Sequence, residues 1–212
     1  MIEILPAILT TDPEDLHKKL KIAEKFSSSL QIDIGDGKFI PTTTINFEDL
    51  QDIETKLFLE IHLMVAEPDK YIAPFVDLGA KRIVFHIEVV ENPIKIAEKI
   101  KTLGCEVGVA LSPGTSLSKL RELDYKLDEI MLLSVKPGKQ GQEFQEHVIS
   151  RICEVREIYP DIVIGVDGGI NKDNINLISK AGANIAVIGS AIFNTSDPEQ
   201  AYREIIKVCD ET

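Results

Sequence analysis

The 212-residue chain is read as a parallel (β/α)8 barrel on three observations. Apolar runs of strand length occur eight times, helical patterns separate them, and the units recur at roughly 25-residue spacing, which suits the small closed barrel. An open, doubly wound sheet is the main rival, but it usually carries fewer strands in this length. No linker, low-complexity tract or composition break divides the sequence, so residues 1–212 are taken as a single domain.

The expected strands are 4–9, 30–34, 57–64, 82–87, 106–111, 130–135, 162–166 and 185–188. Between the first two, Leu16, Leu20 and Ala23, with Ile22 and Phe26, repeat at helical spacing. That helix opens on Thr11-Asp12-Pro13-Glu14-Asp15, a capping residue followed by proline and acids. After the second strand the pattern is weak, around 47–53, and only an ill-bounded helix is expected there. Asn92-Pro93 opens another helix through Ile96, Ala97, Ile100 and Leu103 to a stop at Gly104. Phe144, Val148, Ile152 and Val155 mark a longer one. Asp197-Pro198-Glu199-Gln200 resembles a capping box for the last helix, whose core face would hold Ala201, Ile205 and Val208.

Strand seven carries the strongest local signal. Its β-branched run ends on Asp167, two glycines follow, and a helical pattern starts at about Asn171. A run buried on both faces is what a parallel strand looks like, so Asp167 falls at its carboxyl end, where such barrels place their ligands. Gly168 and Gly169 lack Cβ atoms and let backbone N–H groups approach an anion. One unit later Ile185-Ala186-Val187-Ile188-Gly189-Ser190 repeats the arrangement, and the pair is read as a phosphate clamp.

A net charge of −12 argues against nucleic acid or an anionic membrane as partner. An anionic substrate must then be held by local amides and dipoles. Cys105, Cys153 and Cys209 are widely spaced and form no CxxC pair, as expected of reduced cytoplasmic thiols. Neither a secretory signal nor an apolar run of membrane-spanning length is visible.

The polar residues at the expected strand ends belong to one rim: Gln31 and Asp33, His62, His86 and Glu88, and Asp167. Gln31 and Asp33 are two apart and share a face. Two inward carboxylates, an imidazole and an amide form a set that would hold a divalent cation. His86 and Glu88 are assigned a supporting or surface role, and His17 and His147 face solvent from helices.

At this point the sequence resembles the ribulose-phosphate 3-epimerase family across nearly its whole length. The resemblance rests on Pro6-Ala7-Ile8-Leu9, on the stretch from Ile32 to Pro41, on His62-Leu63-Met64 with Glu67-Pro68, and on His86-Ile87-Glu88. It continues through the stretch from Ser134 to Gln142, Val166-Asp167-Gly168-Gly169-Ile170 and Gly189-Ser190-Ala191-Ile192-Phe193. It implies a (β/α)8 enzyme that inverts C3 of a ketopentose phosphate, exchanging ribulose 5-phosphate and xylulose 5-phosphate. Such chemistry needs two acid/base groups on opposite faces of the carbon. By resemblance these are Asp33 and Asp167. The implied ligands of one divalent metal, manganese, iron, zinc, cobalt or magnesium, are Gln31, Asp33, His62 and Asp167. Substrate and phosphate would meet His62, Gly138, Lys139, Gln140, Gly141, Gly168, Gly169, Gly189 and Ser190. A homo-oligomer is expected.

The sequence also departs from the family. Gln31 stands where histidine is usual, Ala7 replaces a serine, and Gly35 and Leu133 replace wall methionines, which is expected to enlarge the pocket. The loop Gly138-Lys139-Gln140-Gly141 lacks the usual aromatic, which weakens the expected lid. Two other readings therefore stand beside the pentose epimerase: an epimerase for a ketohexose phosphate such as allulose 6-phosphate, and a non-catalytic sugar-phosphate-binding protein. Retention of both aspartates and His62 speaks against the latter. A decarboxylase or aldolase is disfavoured, because no lysine sits at a recognisable strand end beside the acids.

Overall fold

A computed structural model describes residues 2–51, 53–121, 123 and 127–210. Eight parallel strands close into a barrel in sequence order: β1 Glu3–Ile8, β2 Ser29–Gly35, β3 Phe58–Met64, β4 Arg82–His86, β5 Glu106–Leu111, β6 Glu129–Leu133, β7 Val163–Asp167 and β8 Ile185–Ile188. The expected strands are all present, with ends displaced by one or two residues at most. β1 closes the ring on β8, Leu5 standing beside Val187.

The helices are α1 Pro13–Ala23, α2 Ile72–Asp77, α3 Pro93–Thr102, α4 Ser118–Arg121, α5 His147–Ile158, α6 Ile175–Ala181, α7 Ser190–Phe193 and α8 Pro198–Asp210. Their starts follow from local chemistry. Asp12 accepts the Glu14 N–H at 3.0 Å, Asn92 accepts that of Lys95 at 3.1 Å, and Asp197 accepts that of Gln200 at 3.0 Å. Proline at the first helical position costs no hydrogen bond in α1 and α3.

Three expectations are corrected. Among the described residues the weak pattern after β2 forms a 3-10 turn, Phe47–Leu50, capped by Asn46, in a connection otherwise irregular apart from a bridge between Asp36 and Thr43. α6 starts at Ile175 rather than near Asn171: residues 172–174 form a turn first, in which the Asn171 N–H donates to the Asn174 side chain at 2.9 Å. Leu103 leaves the core face at the end of α3 and is 40% exposed.

Two apolar cores result. The larger lies between sheet and helices and takes Leu16, Leu20, Ile96, Ile100, Val148 and Ile152 against outward-facing strand residues such as Ile32 and Ile61. The smaller fills the barrel itself: Leu5, Ala7, Val84, Ala110, Met131, Leu133, Ile185 and Val187. Alternation along each strand makes this division. It also directs a few charged side chains inward, above and below the smaller core.

Candidate active site

At the carboxyl ends of the strands, Asp33 and His62 are register neighbours on β2 and β3, and Asp167 closes the group from the end of β7. One ligand atom from each of the three lies within 4.8 Å of the others. His62 is fully buried; its Nδ1 is 2.9 Å from Asp33 Oδ1 and 3.5 Å from Asp167 Oδ2. Among the described residues no lysine or arginine forms an ion pair with either aspartate.

The electrostatics follow from that isolation. Asp167 is pushed up to about 7, first by burial and then by the Asp33 charge, against His62 and Gln31. For His62 burial opposes the charged ring, but the Asp33 hydrogen bond and both carboxylates outweigh it and raise its pKa. Carboxylates crowded together without a cation hold a proton instead.

Gln31 is buried beneath them. Its Nε2 donates to Asp33 Oδ1 at 2.7 Å and to Asp167 Oδ2 at 3.3 Å, while Oε1 is buried with no hydrogen-bond partner. The structure thus differs from the expectation of a carbonyl ligand: the amide presents its donor, not its acceptor, to the acids. Two carboxylates and an imidazole nitrogen around one point fit a divalent cation, and the orphaned Oε1 is the oxygen that a half-turn of the amide would bring to it.

Behind His62, its Nε2 is 3.0 Å from His86 Nε2, and His86 Nδ1 is 3.1 Å from Glu88 Oε2. Glu88 also accepts the Ser112 N–H at 2.7 Å and the Thr115 hydroxyl. A surface place for His86 is therefore corrected: it is completely buried, with Phe39 against its ring. Burial lowers His86 to about 4. Burial works against ionised Glu88, but its bonds from His86, Thr115 and Ser112 prevail and hold it at about 2.

The mouth of the site is a pocket that includes Asp33, Asp167, Gly168, Gly169, Gly189 and Ser190 and is roofed by the stretch from Lys136 to Gln142. Every predicted phosphate residue lines it; only His62, buried below, is absent from the wall. Gly169 has φ +62° and packs so closely under the loop that a Cβ would stand 2.6 Å from Phe144 N, so both backbone freedom and space require glycine. The loop is stapled by its own side chain: Gln142 Nε2 donates to the carbonyls of Lys136 at 2.6 Å and Lys139 at 2.8 Å. Ser134, which the sequence reading passed over, holds the turn after β7 through its N–H to Asp167 O at 2.8 Å and its hydroxyl to Gly168 O. Lys136 and Lys139 border the pocket but are exposed.

Gly35 does not enlarge this pocket as expected. The space beside it is filled by Ile40 Cδ1, 2.5 Å from where a Cβ would stand, and by the Thr42 carbonyl at 2.6 Å.

Fold and site together define a class: a (β/α)8 barrel whose rim pairs two carboxylates and an imidazole with a glycine-lined pocket. Residues 3–193 match the model of the ribulose-phosphate 3 epimerase family. The chain belongs to that family. It is 41% identical over 209 residues to ribulose-phosphate 3-epimerase of Aquifex aeolicus, covering 95% of this chain and 94% of the relative. It is 36% identical over 213 residues to the Bacillus subtilis enzyme of the same name, covering 97% and 98%. Among solved structures, KGPDC of Streptococcus mutans shares the fold at a TM-score of 0.79 with 13% identity, over 99% of this chain and 98% of that one.

Proposed function

We propose that this protein is a metal-assisted ketose-phosphate 3-epimerase that interconverts ribulose 5-phosphate and xylulose 5-phosphate. The observation that carries the reading is the facing pair Asp33 and Asp167 at one rim, both bridged by a single Gln31 amide. Inversion at a carbon needs one group to take the proton from one face and another to return it on the other. Asp167 and Asp33 would each serve one face of the carbon; the rise of Asp167 to about 7 belongs to the site without its ion, whose charge would favour the ionised carboxylate. Asp33, His62 and Asp167 would hold the divalent ion, with Gln31 joining after its amide turns. When bound, the ion supplies Lewis-acid stabilisation of the negative charge that develops on the substrate oxygens. The backbone at Gly168-Gly169 and Gly189-Ser190 and the loop Gly138-Lys139-Gln140-Gly141 would hold the phosphate, and the staple from Gln142 keeps that loop over the mouth. His62 lies within reach of both acids and orients them.

Residues 1–212 are read as one cytoplasmic, sugar-phosphate-binding barrel whose partner is the phosphorylated ketose. Among the described residues no helix is long and apolar enough to cross a membrane. Ile40 fills the space at Gly35, which removes one argument for a ketohexose phosphate. A coupled assay of ribulose 5-phosphate epimerisation with and without added manganese tests the reading. Metal-dependent turnover and exchange of the C3 hydrogen in heavy water are expected. Absence of exchange with every ketopentose phosphate would hand the site to a binding protein.

A further inference from the structure

Asp33, Asp167 and His62 suffice for the proposed chemistry, yet a second histidine and a third carboxylate are buried directly behind them. The donors around Glu88 favour one polarity for their hydrogen bonds. Glu88 Oε1 receives the Ser112 N–H and the Thr115 hydroxyl, bonds that favour the ionised carboxylate, and its Oε2 then accepts from His86 Nδ1. A neutral His86 then presents an unprotonated Nε2 to His62 at 3.0 Å. His62 must donate from its own Nε2. That leaves Nδ1, the nitrogen 2.9 Å from Asp33 Oδ1, as the one able to give up its proton and offer a lone pair.

We infer that His86 and Glu88 are positioning residues that fix the tautomer of His62 and so aim its Nδ1 lone pair at the Asp33–Asp167 site. This rests on the metal reading above. The chain is anchored outside the site. Ser112 and Thr115 belong to the segment after β5, and Arg151 of α5 clamps that segment through the carbonyls of Pro113 at 2.9 Å and Thr115 at 2.8 Å. Phe39 closes the remaining face of His86, its ring centroid 4.7 Å away. The line Thr115–Glu88–His86–His62 thus carries the geometry of the β5 end to a metal-binding nitrogen contributed by β3.

The decisive variant is Glu88→Gln. Its carbonyl can keep the Ser112 and Thr115 bonds, which turns the new NH2 toward His86. The polarity then reverses: His86 donates from Nε2, His62 accepts there, and Nδ1 retains its proton against the metal. Calorimetric titration of zinc and of manganese into the metal-free protein is expected to show affinity at least about tenfold weaker in the variant, the scale typical of supporting partners of metal ligands. Nitrogen-15 histidine spectra of the zinc-loaded protein should show His62 protonated at Nε2 in the wild type and no longer so in E88Q, with a similar thermal midpoint. Unchanged affinity and an unchanged His62 tautomer in folded E88Q would overturn the inference. If E88Q does not fold, His86 decides. His86→Gln can accept from His62 and donate to Glu88 and should keep metal affinity, whereas His86→Leu should lose it; equal behaviour of the two overturns the proposal. A wild type that takes up neither metal would overturn the metal reading itself and this inference with it.

Discussion

The barrel buries carboxylates at both ends, and it treats them in opposite ways. At the floor, Glu60 and Glu129 are completely buried, and Arg82 joins them, its Nη1 2.8 Å from Glu60 and 2.9 Å from Glu129. Glu106 holds the other side of the same guanidinium at 2.7 Å. At the rim, Asp33 and Asp167 receive only an amide and an imidazole. The floor has been given a permanent cation by the chain; among the described residues the rim has an imidazole and an amide but no lysine or arginine paired with its acids. A structural ion-pair network closes on itself, whereas a catalytic one is left short by the charge that the substrate or metal brings. On the proposed reading of the rim, the contrast separates stability from function within one set of inward-facing strand positions.

The largest effect that would break this contrast is expected at the rim. Asp33→Asn and Asp167→Asn should each lower epimerisation by about 10⁴-fold, roughly 5 kcal/mol of barrier, while leaving the thermal midpoint little changed. An aspartate variant that kept near-wild-type turnover in the coupled assay would remove that residue from the proton path.

The floor should respond the other way. Arg82→Met leaves Glu60 and Glu129 buried without their counter-charge and should cost about 3–5 kcal/mol of stability in urea melts. The residual folded fraction should epimerise normally. A stable Arg82→Met protein with impaired catalysis would show that the two ends are coupled.

Acid and base should likewise act on different places. Burial raises Glu60 well above an ordinary carboxylate, with Glu129 adding to it, and burial raises Glu129 as well. The folded floor therefore binds more protons than the unfolded chain above the usual glutamate value of 4.5. That contribution to stability is complete below this value and is lost as pH rises through the native pKa, at a slope of up to about 1.4 kcal/mol per pH unit and per proton. Glu88 runs the opposite way: held at about 2, it contributes above 4.5 and its contribution is lost as pH falls toward 2. Glu129→Gln should flatten the loss on the alkaline side without touching the acid limb. Identical pH profiles for the two proteins would refute the floor assignment.

Gln31 offers the mildest test. Gln31→His replaces an amide that donates to both acids with an imidazole able to ligate, and should tighten zinc binding about tenfold without reducing turnover. If calorimetry shows no gain, Gln31 already serves the metal as well as histidine would.

How far the sequence reaches can be judged from these same residues. Strand periodicity alone places Asp33, His62 and Asp167 at carboxyl ends and on inward faces, because a side chain two positions along a strand returns to the same side. The glycines after β7 and β8 were legible as a pair, since either alone is also explained by an ordinary turn, while two consecutive strand ends bearing them suggest close backbone approach to an anion. Glu60 is visible as a charge inside an apolar run, Arg82 opens one and Glu129 precedes another, but nothing in one strand says what stands opposite it. Their meeting depends on register: Arg82 is paired with Glu60 on one side and Glu106 on the other, while Glu129 lies beside Gly108, one strand further on.

The sequence by itself determined the number and succession of the strands and brought Asp33, His62 and Asp167 to one rim. Tertiary structure alone decided that Ile40 fills the space at Gly35, that the Gln31 amide offers its nitrogen to the acids, and that Glu88 directs His62 through His86. The physical reason is the range of the interactions. Alternation is a property of a single strand's backbone, whereas the polarity of these bonds also depends on partners far along the chain, Asp167 lying 136 residues from Gln31 and His86 24 from His62, brought within contact distance by closure of the barrel.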